Sequence, residues 1–168
     1  MSLRFFLFFR AYYGQFSEKG EVHFMIEQDT IKLLRECDAG IKMGVSSIDE
    51  VIDHVEHSEF RRLLSDCRKS HLALKNEIQT QLDRFHDEGK APNPMAKGMS
   101  WVKTNVMLGM KDNDATVADL MTDGCNMGVK SLNKYLNQYA AADEKSKDIT
   151  KRLVELEHQL TIDIRGYL

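Results

Sequence analysis

The phrase Gly40-Ile-Lys-Met-Gly-Val-Ser-Ser-Ile48 returns later in the chain as Gly124-Cys-Asn-Met-Gly-Val-Lys-Ser-Leu132, at a constant offset of 124 − 40 = 84 residues. The match runs on as Asp-Glu-Val-Ile-Asp53 against Asn-Lys-Tyr-Leu-Asn137, where the aligned residues are alike in size at three of five positions. A chain that states one helical phrase twice is constrained to two related halves, so a duplicated helical hairpin is the first expectation. Four mid-helix glycines cost about 2 to 4 kcal/mol against alanine, at 0.5 to 1 each. Close approach of backbones, within the fold or across a homodimer about a two-fold axis, is the compensation they imply.

The periodicity around the phrase supports helices. Leu34, Cys37, Ile41, Gly44/Val45, Ile48, Val51/Ile52 and Val55 alternate spacings of three and four, the signature of a helix with one buried face. After a short link with Ser58 as expected N-cap, a second seam runs through Phe60, Leu64, Cys67, His71, Leu74, Ile78, Leu82 and Phe85 and ends near Gly89. Two long amphipathic helices joined by a tight turn lie antiparallel. The sole Pro/Gly-rich passage, Glu88 to Gly98, and a short Met-rich helix carrying Met99, Trp101, Val102, Val106 and Met110 form a crossover. From near Asn113-Asp114 a third seam carries Val117, Leu120/Met121, Gly124, Met127/Gly128, Leu132, Tyr135/Leu136 and Tyr139. A fourth, capped by Asp143 or Ser146, carries Ile149, Leu153, Leu156, Leu160, Ile164 and Tyr167. The crossover must climb about 45 Å back along a 30-residue helix, which a 15-residue helix of about 22 Å plus extended residues can do. The architecture expected is all-α: a four-helix bundle of two antiparallel hairpins joined by a long crossover containing a short helix.

Residues 1–24 stand apart from this pattern. The run Leu3-Arg-Phe-Phe-Leu-Phe-Phe-Arg10 is too short for a secretory core, and no cleavage site follows it cleanly. Lys19-Gly-Glu-Val22 can be encoded with the purine run of a bacterial ribosome-binding site, with Met25 at start-codon spacing. The segment therefore reads as a translated leader before a native start at Met25, as a disordered tail, or as a targeting or membrane-surface segment. The bundle itself is expected over 25–168.

With 42% hydrophobic and 29% charged residues the chain has the balance of a soluble domain, and its net charge of −3 excludes an electrostatic case for binding nucleic acid. Membrane contact is expected only if residues 1–24 make it. Cys37, Cys67 and Cys125 are odd in number, widely spaced and without CxxC, which points away from a disulfide framework and toward a reducing cytoplasm.

The paired hairpins, the crossover and the phrase Gly98-Met-Ser-Trp-Val-Lys103 within it resemble a family of small bacterial ferritin-like proteins, over Met25 to Leu168. That resemblance implies a bundle in which a di-iron centre would take an inward Glu from each of two helices and Glu-x-x-His from each of the other two. Those ligands are largely missing. Glu155-Leu-Glu-His158 has the spacing, but at 100° per residue Glu155 and His158 fall away from Leu153, Leu156, Leu160 and Ile164 and face solvent; they serve as ligands only if that phase is wrong. His71 lies in an apolar seam with Arg68 three residues before it, so no carboxylate accompanies it there. Gly44 and Gly128 occupy the inward positions where the other carboxylates belong. His71 is expected to be a buried, hydrogen-bonded imidazole for which Gly44 makes room, and it is also the best metal candidate. Cys37 and Cys67 differ by about 15 Å in height, too far to share a metal.

Function then reads as a non-enzymatic ferritin-like bundle without a competent di-iron site and with no cofactor. Its role is structural or partner-binding, as a homodimer or with another protein. The alternative is a metal-binding or redox protein with iron or another divalent metal at an altered site around His71.

Overall fold

The computed structural model describes the backbone of residues 3–91 and 114–168, with side chains from residue 20 onward. The expected crossover helix, with Met99, Trp101, Val102, Val106 and Met110, lies outside the described residues. Four long helices make the fold: α1 (Leu3–Val51), α2 (Ser58–Asp83), α3 (Asp114–Gln138) and α4 (Glu144–Ile164). Short 3-10 turns, Ile52–His54 and Arg165–Tyr167, follow α1 and α4. The described residues are all-α, a bundle of four helices, and no helix among them is long and apolar enough to cross a membrane.

The sequence places the starts of α2, α3 and α4 to within a residue, with one change of chemistry. Asp143 caps α4 as expected, its carboxylate accepting from Ser146 N at 2.7 Å. Ser58 does not cap α2; the N-cap position is His57, which offers no side-chain bond. Just before the helix, Asp114 at the start of α3 accepts from Glu56 N at 2.8 Å and His57 N at 3.0 Å. One carboxylate thus ties the far side of the crossover to the α1/α2 turn. α1 begins far before Ile31, so the helix runs back through residues 3–24.

The opposite end of the crossover is also tied to α1. α2 stops at Asp83, and the chain reverses through His86 and Gly89, both with positive φ (53° and 81°). Arg35 grips Asp87 with Nε at 3.0 Å from Oδ1. The buried Asp38 carboxylate accepts Lys90 N at 3.0 Å and Lys42 Nζ at 2.7 Å, while Lys90 Nζ reaches Glu36 at 2.7 Å. Because Lys90 already lies beside Asp38 and Lys42, the remaining climb to Glu56 covers about 20 to 27 Å of α1, not 45 Å. The turn after α2 has done part of the return.

Burial confirms most seam positions and moves three. Leu34, Cys37, Ile41, Ile48, Val51 and Val55 of α1 are buried, as are Phe60, Leu64, Cys67, His71, Leu74, Ile78 and Leu82 of α2. On α3, Gly124 and Met127 turn out to solvent, and Cys125 takes the inward place. On α4, Glu157 takes the buried place expected of Leu156, which is partly buried and still packs against the core.

The core falls into two apolar halves. One holds Ile48, Val51, Phe60, Leu64, Met121 and Ile164, closed at its end by Tyr167 stacked on Phe60 at 4.5 Å. The other holds Leu33, Leu34, Ile41, Ile78, Leu82 and Ile149. Along every helix the boundary between them falls at one residue: Gly44, His71, Gly128 and Glu157.

Candidate functional site

Those four residues form a single layer across the middle of the bundle, one from each helix. His71 is 1% exposed, so each polar atom of its ring needs a partner. It has both. Nδ1 lies 2.9 Å from the carbonyl oxygen of Cys67, one turn back on α2, and Nε2 lies 3.0 Å from Glu157 Oε1 across the bundle. A carbonyl only accepts, which makes Nδ1 a donor; Nε2 then either donates to a carboxylate or accepts from a protonated Glu157. In both forms the layer carries no net charge, and a single proton is shared along the 3.0 Å contact.

The glycines create the space for this pair. A Cβ on Gly44 would stand 3.1 Å from His71 Nε2 and 3.4 Å from its Cδ2, and one on Gly128 would stand 3.4 Å from the Glu157 carboxyl carbon. Gly44 therefore does make room for His71, as its height in the sequence implies, and Gly128 does the same for Glu157. Gly40 and Gly124 differ: nothing lies within 4 Å of where their Cβ would be, so they mark no close approach inside the bundle.

Electrostatics favour the ionised form. Burial disfavours the imidazolium, but the hydrogen bonds to Cys67 and Glu157 and the Glu157 charge outweigh it, raising the His71 pKa to about 10. Two thiols border the layer. Cys67 Sγ lies 3.5 Å from His71 Nδ1. Burial pushes the Cys125 thiol up, and the nearby Glu157 carboxylate pushes it further. Cys37 sits in the other half-core, donating to Thr150 Oγ1 at 3.2 Å while that hydroxyl donates to Ser146 O at 2.8 Å, and burial raises its pKa to about 12. All three are buried, and the raised pKa values of Cys37 and Cys125 make those two poor nucleophiles.

The sequence-expected residues separate cleanly. His71 lies at the centre of the layer, bonded to a side chain and to a backbone carbonyl as expected. Contrary to expectation, a carboxylate does accompany it, supplied by Glu157 from α4 and not by its own helix. Glu155 and His158 are exposed on the outer face of α4 and stand apart from the layer. Glu157, the intervening Glu of that same Glu-Leu-Glu-His run, is the one that turns inward. Among the described residues no group of three or more His, Cys, Asp or Glu side chains is placed to hold a metal ion. The chain matches no family model, no curated protein and no solved structure.

Proposed function

We propose that this chain is a non-enzymatic, ferritin-like bundle with a structural or partner-binding role, in which a buried imidazolium–carboxylate pair stands where a metal centre would. The observation that carries this reading is the complete engagement of His71: both ring nitrogens are committed, to Cys67 O and Glu157 Oε1, inside a layer where a Cβ on Gly44 would already press on the ring at 3.1 Å. A metal would need one of those nitrogens as a free lone pair.

Descent from a duplicated hairpin is supported by register. The buried residues Phe60, Leu64, Cys67, His71, Leu74 and Ile78 of α2 recur on α4 as Ser146, Thr150, Leu153, Glu157, Leu160 and Ile164, each at the 86-residue separation of the His71–Glu157 contact. Gly44 and Gly128 keep the 84-residue offset of the repeated phrase. His71 and Glu157 thus hold equivalent places in the two halves. A pair of this kind fixes which residues of α2 and α4 lie level, since a shift by one turn would bury both groups without partners. A homodimer is the partner we favour: Gly124, with open space above it, and Met127, 53% exposed, share the outer face of α3.

The second reading, a metal or redox site, draws on Cys67 Sγ at 3.5 Å from His71 Nδ1 and on Cys125 beside Glu157. Elemental analysis of protein purified without chelators separates the two. Our reading expects iron, manganese and zinc well below one per chain; a stoichiometric metal that vanishes in His71→Ala would overturn it.

A further inference from the structure

We propose that the amino-terminal end of α1 is a lipid-docking tip that seats on an anionic membrane surface. The helix is continuous from Leu3 to Val51, and among the described side chains, from residue 20 onward, the bundle first holds it at Asp29 and Thr30, where Asp29 accepts Ala141 N at 3.1 Å and Thr30 Oγ1 accepts Asp143 N at 2.9 Å. Residues 20–28 are exposed on every side, Val22, Phe24 and Met25 by more than half. About 39 Å of helix, residues 3–28, thus precedes the first described tie to the bundle, and its nine described residues, 20–28, are all exposed. A lone helix of that length is only marginally stable in water and gains most from a surface that takes up apolar residues.

Composition identifies the surface. Residues 1–17 contain five phenylalanines, two tyrosines and two leucines, with Arg4 and Arg10 as their charged side chains and no acid. From there toward the bundle the sign reverses: Glu18, Glu21, Glu27 and Asp29 stand against Lys19 alone. Charge thus changes along the helix axis, a cationic aromatic tip on an acidic shaft. An anionic surface attracts the first and repels the second, which orients the helix tip-first. Aromatic residues with arginine suit the headgroup boundary, and the helical part of this tip, residues 3–17 and about 22 Å long, enters without crossing a hydrocarbon layer of about 30 Å. Two copies paired in parallel would bring like charges together, and an antiparallel pair, tip against shaft, is the occupant that the vesicle-free dimer measurement below reads.

The test is co-sedimentation of the full chain with vesicles of phosphatidylcholine alone or with 30% phosphatidylglycerol, at low and high salt. Wild type is expected to pellet with the anionic vesicles, less so at high salt. Arg4→Glu/Arg10→Glu is expected to bind at least roughly tenfold more weakly, since each basic residue near such a surface is worth about fivefold. Phe6→Ser/Phe9→Ser in the full chain is expected to stay in the supernatant, with the bundle's circular dichroism and melting unchanged. Equal pelleting with both vesicle types, unaltered binding of the charge-reversed variant, or no pelleting of wild type would overturn the proposal. A vesicle-free dimer abolished by the Phe variant would assign the tip to a second copy instead, and a native chain whose intact mass begins at Met25 would remove it altogether.

Discussion

The protonation of the central layer can be read from stability alone, through Glu157→Gln. In the wild type His71 titrates at about 10 when folded and near 6.5 when unfolded, so between those values the folded state holds a proton that the unfolded state has released. Stability from the pair is complete below pH 6.5 and is lost as pH rises toward 10; one proton is worth about 1.4 kcal/mol per pH unit, up to about 5 kcal/mol in total. Cys37 and Cys125, raised by burial, add a loss of the same sign, but only above the ordinary thiol value of about 8.5. The window from pH 6.5 to 8.5 therefore isolates the imidazole, and across it the wild type should lose about 2 kcal/mol. In Glu157→Gln the amide can donate to Nε2 of a neutral ring while Nδ1 still donates to Cys67 O, so the preference for the imidazolium disappears. Urea unfolding followed by circular dichroism at fixed ionic strength measures both curves; at an m-value of about 2 kcal/mol/M the wild-type midpoint should fall by about 1 M and the variant's should hold. The variant keeps the other five histidines, so the difference between the curves belongs to the pair. A flat wild-type profile, or the same slope in both proteins, would refute the assignment.

Three further outcomes follow from the geometry. Gly44→Ala should destabilise by about 1 to 3 kcal/mol, because its Cβ would press on His71 Nε2 from 3.1 Å, whereas Gly40→Ala, one turn earlier with open space above it, should stabilise by about 0.5 to 1 kcal/mol; thermal melts of the two variants side by side check the contrast. Gly89→Ala should cost about 1 to 3 kcal/mol in denaturant titration, since the position has φ +81° and its Cβ would lie 2.5 Å from Asp38 Oδ2. Asp143→Ala should lose about 1 kcal/mol with the cap of α4, without changing the pH slope that reports the central pair.

Much of this arrangement is legible in the sequence because spacing dictates it. The three-and-four alternation of Leu34, Cys37, Ile41 and Ile48, and of Phe60, Leu64, Cys67 and His71, places those residues inside, and equal distance from the α1/α2 turn sets Gly44 level with His71. Glu157 is missed because Leu156 and Glu157 lie three and four residues after Leu153, both allowed spacings, and hydropathy selects the leucine. The signal that would have found it is register. Aligning the helix starts, Ser58 with Glu144, pairs His71 with Glu157. Cys125 is legible from the repeat, since it occupies the place of the inward Ile41, whereas Gly124 beside it looks like a residue meant for packing and faces solvent. The tie of Lys90 back to Asp38 depends on a reversal at His86 and Gly89 that no periodicity announces.

The central layer also limits how this sequence can change. Replacing His71 alone strands a buried carboxylate, and replacing Glu157 alone with an apolar residue strands an imidazole; either step costs more than most single substitutions. Replacing both with well-packed apolar residues can cost little, but their larger bulk would press on Gly44 and Gly128. Four positions on four helices are thus bound into one unit of inheritance. Among descendants of this chain, positions 44, 71, 128 and 157 should either persist together or be exchanged together.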